Sequence, residues 1–257
     1  MSNNYGYSGV QPTDDDMFPS KRPSNKVYFT IYEGMLCRKR STPETGFVEY
    51  ISQSDKTRGK VSYIYQHEYL DGWLIAIDKR DKETRDGKKF VVFDFVFANG
   101  SGREAVVQVP ARGEFVSVFA KCVENMDLSK RIRVRVGREK GTVNSYVYFE
   151  QVQKNENGVL DHVVIKRKYT KENPNGLPQW VKDEISGDWD SREYWKFLYQ
   201  KLLAVRPQIE QNKHRMTQMM LEREGAIDHG EPEIEPEFSG PPPTGGEVNT
   251  YDDDIPF

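Results

Sequence analysis

Through the first two thirds of this chain apolar residues alternate with polar ones, with one interruption where the period changes. Val27, Phe29 and Ile31 interleave with Tyr28, Thr30 and Tyr32, which predicts a strand buried on one face. Arg38-Lys39-Arg40 and a turn-prone Ser41-Thr42-Pro43 follow, and shorter strand-like runs at 47–51 and 61–65 complete a front β section. Trp73 to Ile77, Phe90 to Phe97 and Ala105 to Val109 predict three more strands. Asp86-Gly87 and Asn99-Gly100-Ser101-Gly102 supply the turns between them. Then Phe115, Val118, Phe119, Cys122 and Val123 fall at i, i+3, i+4, i+7 and i+8, the stripe of an amphipathic helix. Alternation returns in Arg131 to Val136, turns at Gly137 to Gly141 and continues over 143–149. Residues 163–169 predict a further strand after a turn at Asn157-Gly158.

Three strands, a helix and two strands is the order of the OB-fold, a five-stranded Greek-key barrel whose face and loops bind oligonucleotides. The reading is therefore a mainly β protein: an OB-fold five-stranded barrel with an N-terminal β extension, a C-terminal helical appendage and disordered ends. Residues 1–25, rich in Asn, Ser, Gly, Pro and Asp, make a flexible leader, and 26–170 the folded β domain. In 171–224, a loop-like stretch leads to a helix capped by Asp190 or Ser191. Its broad apolar face runs from Tyr194 to Leu203, and Pro207 opens a second helix reaching about Glu224. This piece either covers part of the barrel or offers a surface for a dimer or partner. Residues 225–257 are Pro- and Glu-rich, with Pro241-Pro242-Pro243-Thr244-Gly245-Gly246 as a linker.

Charge sharpens this division. The net charge of -3 conceals a basic body and an acidic end: residues 60–170 hold 20 Lys/Arg against 15 Asp/Glu, and residues 222–257 hold 1 against 11. That is the layout of an anion-binding protein that carries its own competitor. Cys37 and Cys122 match no metal spacing and fit a reducing compartment, and the four histidines have no partners at ligand spacing. There is no run of the roughly 20 apolar residues that a membrane span needs, and no signal-peptide layout. The expectation is a soluble cytoplasmic protein without cofactor or metal.

The strand Arg131-Ile132-Arg133-Val134-Arg135-Val136 carries the chemistry. Alternation sends Ile132, Val134 and Val136 inward and the three arginines to one outer face. Either a phosphate backbone lies against those cations, or they pair with Glu139, Glu150 or Asp127 on a solvated face. Arg138 and Lys140 extend the positive charge, and Tyr146 and Tyr148 share one face of the returning strand. If that face is the arginine face, the result is a cationic groove with stacking platforms. The stretch from Lys79 to Lys89, including Lys88 and Lys89, carries 6 cations against 3 acids. It reads as either a wrapping loop or an ordinary soluble turn. Phe93, Phe95 and Phe97 read as core, and Trp73 and Phe90 as the better stacking residues. No dinucleotide loop, phosphate loop or nucleophile elbow occurs, so an enzyme is not the first expectation.

The chain ends in Asp252-Asp253-Asp254-Ile255-Pro256-Phe257, an acidic run closing on a hydrophobic hook. Phe257 suits an apolar pocket, its terminal carboxylate suits a cation, and Pro256 limits the entropy lost on capture. This tip resembles that of bacterial single-stranded DNA-binding proteins, whose acidic tail closes with the same six residues. The resemblance implies a sequence-tolerant coat on single-stranded DNA in replication, recombination or repair, near the bacterial nucleoid. The tip would recruit partner enzymes and the tail would compete with DNA for the groove. The longer body suggests a divergent form carried by a phage or plasmid, and leaves the oligomeric state open. A strand-annealing mediator and a DNA-processing nuclease are the alternatives.

Overall fold

The computed structural model describes residues 26–54, 57–84, 87–138, 145–154, 159–184 and 187–227. Ten strands form one curled sheet: β1 Lys26–Tyr32, β2 Met35–Arg40, β3 Val48–Ile51, β4 Val61–His67, β5 Tyr69–Glu83, β6 Lys89–Ala98, β7 Glu104–Pro110, β8 Ile132–Arg138, β9 Ser145–Lys154 and β10 Leu160–Val164. Their order across the sheet is β10-β9-β8-β5-β6-β7-β1-β2-β4-β3. A separate two-stranded ribbon, β11 Val181–Lys182 and β12 Trp189–Asp190, follows. The helices are α1 Glu114–Cys122, α2 Arg192–Ala204 and α3 Arg206–Ile227.

The mainly β class and the order strand-strand-strand-helix-strand-strand, here β5-β6-β7-α1-β8-β9, are both present. The sheet is larger than a five-stranded unit. β7 pairs with β6 on one side and, in parallel, with β1 on the other, so the front section is continuous with the main sheet. β1 turns into β2 at Glu33-Gly34, where both φ are positive (46° and 78°), as a tight two-residue hairpin turn requires. Gly34 is also a point of close approach. A Cβ there would stand 2.6 Å from the Cβ of Arg138 on β8, so the absent side chain lets the front hairpin close against the far strand.

Several elements differ from their expected lengths for identifiable reasons. The charged stretch after Ile77, read as a wrapping loop or a soluble turn, is mostly extended structure: β5 and β6 stay paired out to Glu83 and Lys89. The β5 side of this two-stranded arm is polar and mostly exposed from Asp78 to Glu83, so no apolar alternation marks it. Arg38-Lys39-Arg40 belongs to β2, with Arg38 buried over the rings of Phe47 and Tyr65, 5.2 and 5.9 Å from their centroids. The strand expected over 163–169 ends at Val164. The turn residues Asn157 and Gly158 lie outside the described residues.

The main core lies on the concave side of the sheet. Phe29, Leu70, Leu74, Phe95, Phe97, Val107, Ile132, Val134 and Phe149 meet α1 through Phe115, Val116 and Phe119, with Trp195, Leu198 and Leu202 of α2 packed behind. Phe95, Phe115, Phe119 and Phe149 contact one another edge to face, with centroids 4.8 to 5.3 Å apart, a geometry that adds to simple area burial. The sequence reading of Phe95 and Phe97 as core holds, with Phe93 half-buried beside Tyr199 of α2. A smaller core on the convex side, Ile75, Val96, Ala98 and Val106, is covered by Met216 of α3. Asn212 of α3, itself buried, donates to the carbonyls of Leu74 and Leu128. Among the described residues no helix is long and apolar enough to cross a membrane.

Candidate nucleic-acid interface

The convex face of β5, β8 and β9 collects six of the eleven residues that the sequence offers for nucleic-acid contact. Residues opposite each other in a ladder share a face. The register pairs Tyr69 with Arg135 and Arg135 with Tyr148, Asp71 with Arg133 and Arg133 with Glu150, and Gly137 with Tyr146. Tyr146 and Tyr148 therefore do lie on the arginine face, with Ile132 and Val134 buried beneath it.

Each guanidinium has an aromatic partner or neighbour. Arg133 lies 4.0 Å from the ring centre of Tyr69 and Arg135 5.9 Å from the same ring, while Arg131 lies 5.3 Å from that of Trp73. Tyr146 and Tyr148 have near-parallel rings, 18° apart with centroids at 6.1 Å, and Tyr146 is 46% exposed. The ring of Tyr146 rests on Gly137. A Cβ at that position would come within 2.1 Å of the ring, so only glycine lets the tyrosine lie flat across β8. Exposed Val152 and Val164 carry the same face on to the edge strand β10.

The arginines also have acidic partners. Asp71 accepts from Nε of Arg131 at 2.8 Å and forms an ion pair with Arg133 at 3.3 Å. Arg135 donates to Glu68 and lies 3.8 Å from Glu150. Of the described acids named as candidate partners in the sequence, Glu150 takes this role. Asp127 pairs with Lys130 instead, and Glu139 lies outside the described residues. Among the described residues, three guanidinia thus face three carboxylates. Buried Nε of Arg135 finds no acceptor among the described residues.

The remaining residues fall elsewhere. Arg138 shares the parity of Val134 and Val136, so it points to the concave side, where it donates to Gln53 at 2.9 Å. Gln53 belongs to a loop organised by Glu33, which accepts from Tyr50, Ser52 and the backbone N–H groups of Gln53 and Ser54. Burial pushes the Glu33 carboxyl up, but those donors outweigh it and hold it below the usual carboxylate range. Trp73 is half-buried between Arg131 and the convex core beside α3. Phe90 pairs with Lys82 and Lys89 with Glu83, out on the arm. At about 3.3 Å per residue that is on the order of 30 Å along β5 from Trp73, so Phe90 does not join the tyrosines. Lys88 and Lys89 are exposed near the arm's tip. The arm is braced by buried Asp94, which pairs with Arg80 at 2.7 Å and accepts from Gln108, itself bonded to Lys82. Lys140 and the tip residues Asp252, Asp253, Asp254, Ile255, Pro256 and Phe257 lie outside the described residues.

Tyr69, Glu68 and Asp71 were not anticipated. The predicted strand began at Trp73, and nothing local announces that the chain before it would pair with a strand some 60 residues later. No family model matches the chain, and neither a curated protein nor a solved structure does.

Proposed function

We propose that this chain is a sequence-tolerant single-stranded DNA-binding protein acting in replication, recombination or repair, which recruits partner enzymes through its acidic C-terminal tip. The observation that carries the reading is the parallel Tyr146–Tyr148 pair lying on the same convex face as Arg131, Arg133 and Arg135. Aromatic faces accept any base, at about 1–3 kcal/mol per stacked base, and guanidinia accept phosphate oxygens. Neither contact reads sequence. A duplex hides its base faces and loses the stacking contribution, so the geometry favours unpaired strands. The tip's resemblance to that of bacterial single-stranded DNA-binding proteins supports the same conclusion independently.

On this reading the β5-β6-β7-α1-β8-β9 unit is an OB-type barrel in which β1 occupies the outer edge of β7. The arm formed by β5 and β6 corresponds to the long loops that commonly embrace ligands in such barrels, with Lys88 and Lys89 near its end.

Trp73 provides the test, because it lies beside Arg131 at the margin of this face. Titration with oligo-dT at low salt is expected to quench tryptophan fluorescence, with the effect weakening as salt is added. The Trp73→Phe variant should still bind labelled oligo-dT but lose most of that quenching. Absence of any oligo-dT binding by the wild-type chain at low salt would overturn the proposal. Undiminished quenching in Trp73→Phe would move the site away from this face.

A further inference from the structure

Among the described residues, the three arginines of this face are matched by three carboxylates. Asp71 bridges two guanidinia, with one oxygen toward Arg131 at 2.8 Å and the other toward Arg133 at 3.3 Å. It is only 8% exposed and comes from β5, the strand paired with the arginine strand β8. Glu68, three residues earlier between β4 and β5 and half-buried, accepts from Arg135. A carboxylate held by planar guanidinia occupies the same lone-pair positions that a phosphate oxygen would take. The pairing also orders the cations: three arginines at alternate positions repel one another, and their partners keep them laid over Tyr69 and Trp73.

We propose that Asp71 and Glu68 set the affinity and salt dependence of nucleic-acid binding by competing with backbone phosphate for the guanidinia of Arg131, Arg133 and Arg135. The inference rests on the reading given under Proposed function. A strand arriving at this face exchanges an internal carboxylate for a phosphate, so little net charge is neutralised and few counterions are released. Binding then depends on salt less steeply than three arginines would imply, and stacking on the tyrosines carries a correspondingly larger share. The carboxylates act as positioning groups for the cations and as a brake on their affinity.

The test compares the full chain with its Asp71→Asn and Glu68→Gln variants, by fluorescence anisotropy with labelled oligo-dT over a series of salt concentrations. Thermal melting of each variant checks that it folds. Removing one carboxylate leaves one more cation for phosphate, so the slope of log K against log salt should steepen by about 0.7, the single-strand value per phosphate. Affinity at low salt should rise in the same variants. Glu68→Gln alters the more exposed pair and carries the test if Asp71→Asn does not fold. If the wild type binds oligo-dT and the folded variants bind no more tightly with an unchanged slope, the competition is overturned and the single-strand reading stands. If the wild type does not bind, both fall together.

Discussion

Glu124 shows how single side chains hold this molecule's layers together. It sits just after α1 and accepts from Lys201 of α2 at 2.6 Å and from the Tyr169 hydroxyl, with Lys168 at 3.2 Å. The hydrogen bond from Lys201, followed by that from Tyr169, pulls its carboxyl down to about 2. An unfolded glutamate titrates near 4.3. A folded value below the unfolded one stabilises the fold above that range and is lost as pH falls toward 2. Wild type should therefore melt above Glu124→Gln at pH 6, and the gap between them should close progressively as the pH is lowered from 5 to 2. A gap that stayed constant over that range would contradict the assignment. The same scale shows what the sequence could and could not say about the site. Parity alone placed Ile132 and Val134 inward and the arginines outward. Nothing local could name Asp71 as their partner, because that contact depends on which strand lies beside β8.

At the level of elements, α3 is held to the sheet by a short apolar stripe, Ile209 and Met216, together with one buried polar residue. Its outer surface is largely polar, but Asn212 reaches the buried carbonyls of Leu74 and Leu128 while Met216 covers Ile75, Val96 and Val106. Asn212→Ala leaves those carbonyls without their donor, at a cost of about 1–3 kcal/mol. The urea midpoint should fall accordingly, and an unchanged midpoint would show that these two hydrogen bonds do not stabilise the contact of α3 with β5. Strong apolar periodicity made α1, α2, β6 and β7 legible in the sequence. It could not show the outer half of β5, where polar residues such as Asp78, Arg80 and Asp81 are exposed. Nor could it show β11 and β12, whose ladder is only two residue pairs long. The burial of Arg38 was not legible either: a cation in a basic run is buried here because aromatic rings line its path.

Across the whole molecule, a curled sheet separates two surfaces. The concave side is filled by α1 and α2, and most of the residues expected to meet nucleic acid are spread over the convex side of β5, β8 and β9 or along the arm. The central claim is that this convex surface holds bases that are not paired. The most direct measurement is competition for a labelled oligo-dT by unlabelled oligo-dT and by a duplex of equal length, run with the wild-type chain and with Tyr146→Ala/Tyr148→Ala. The account predicts that the single strand competes far better than the duplex, and that the double variant loses at least about 1–3 kcal/mol of single-strand affinity, the contribution of one stacked base. Equal competition by duplex, or a double variant that binds oligo-dT as tightly as wild type, would contradict it.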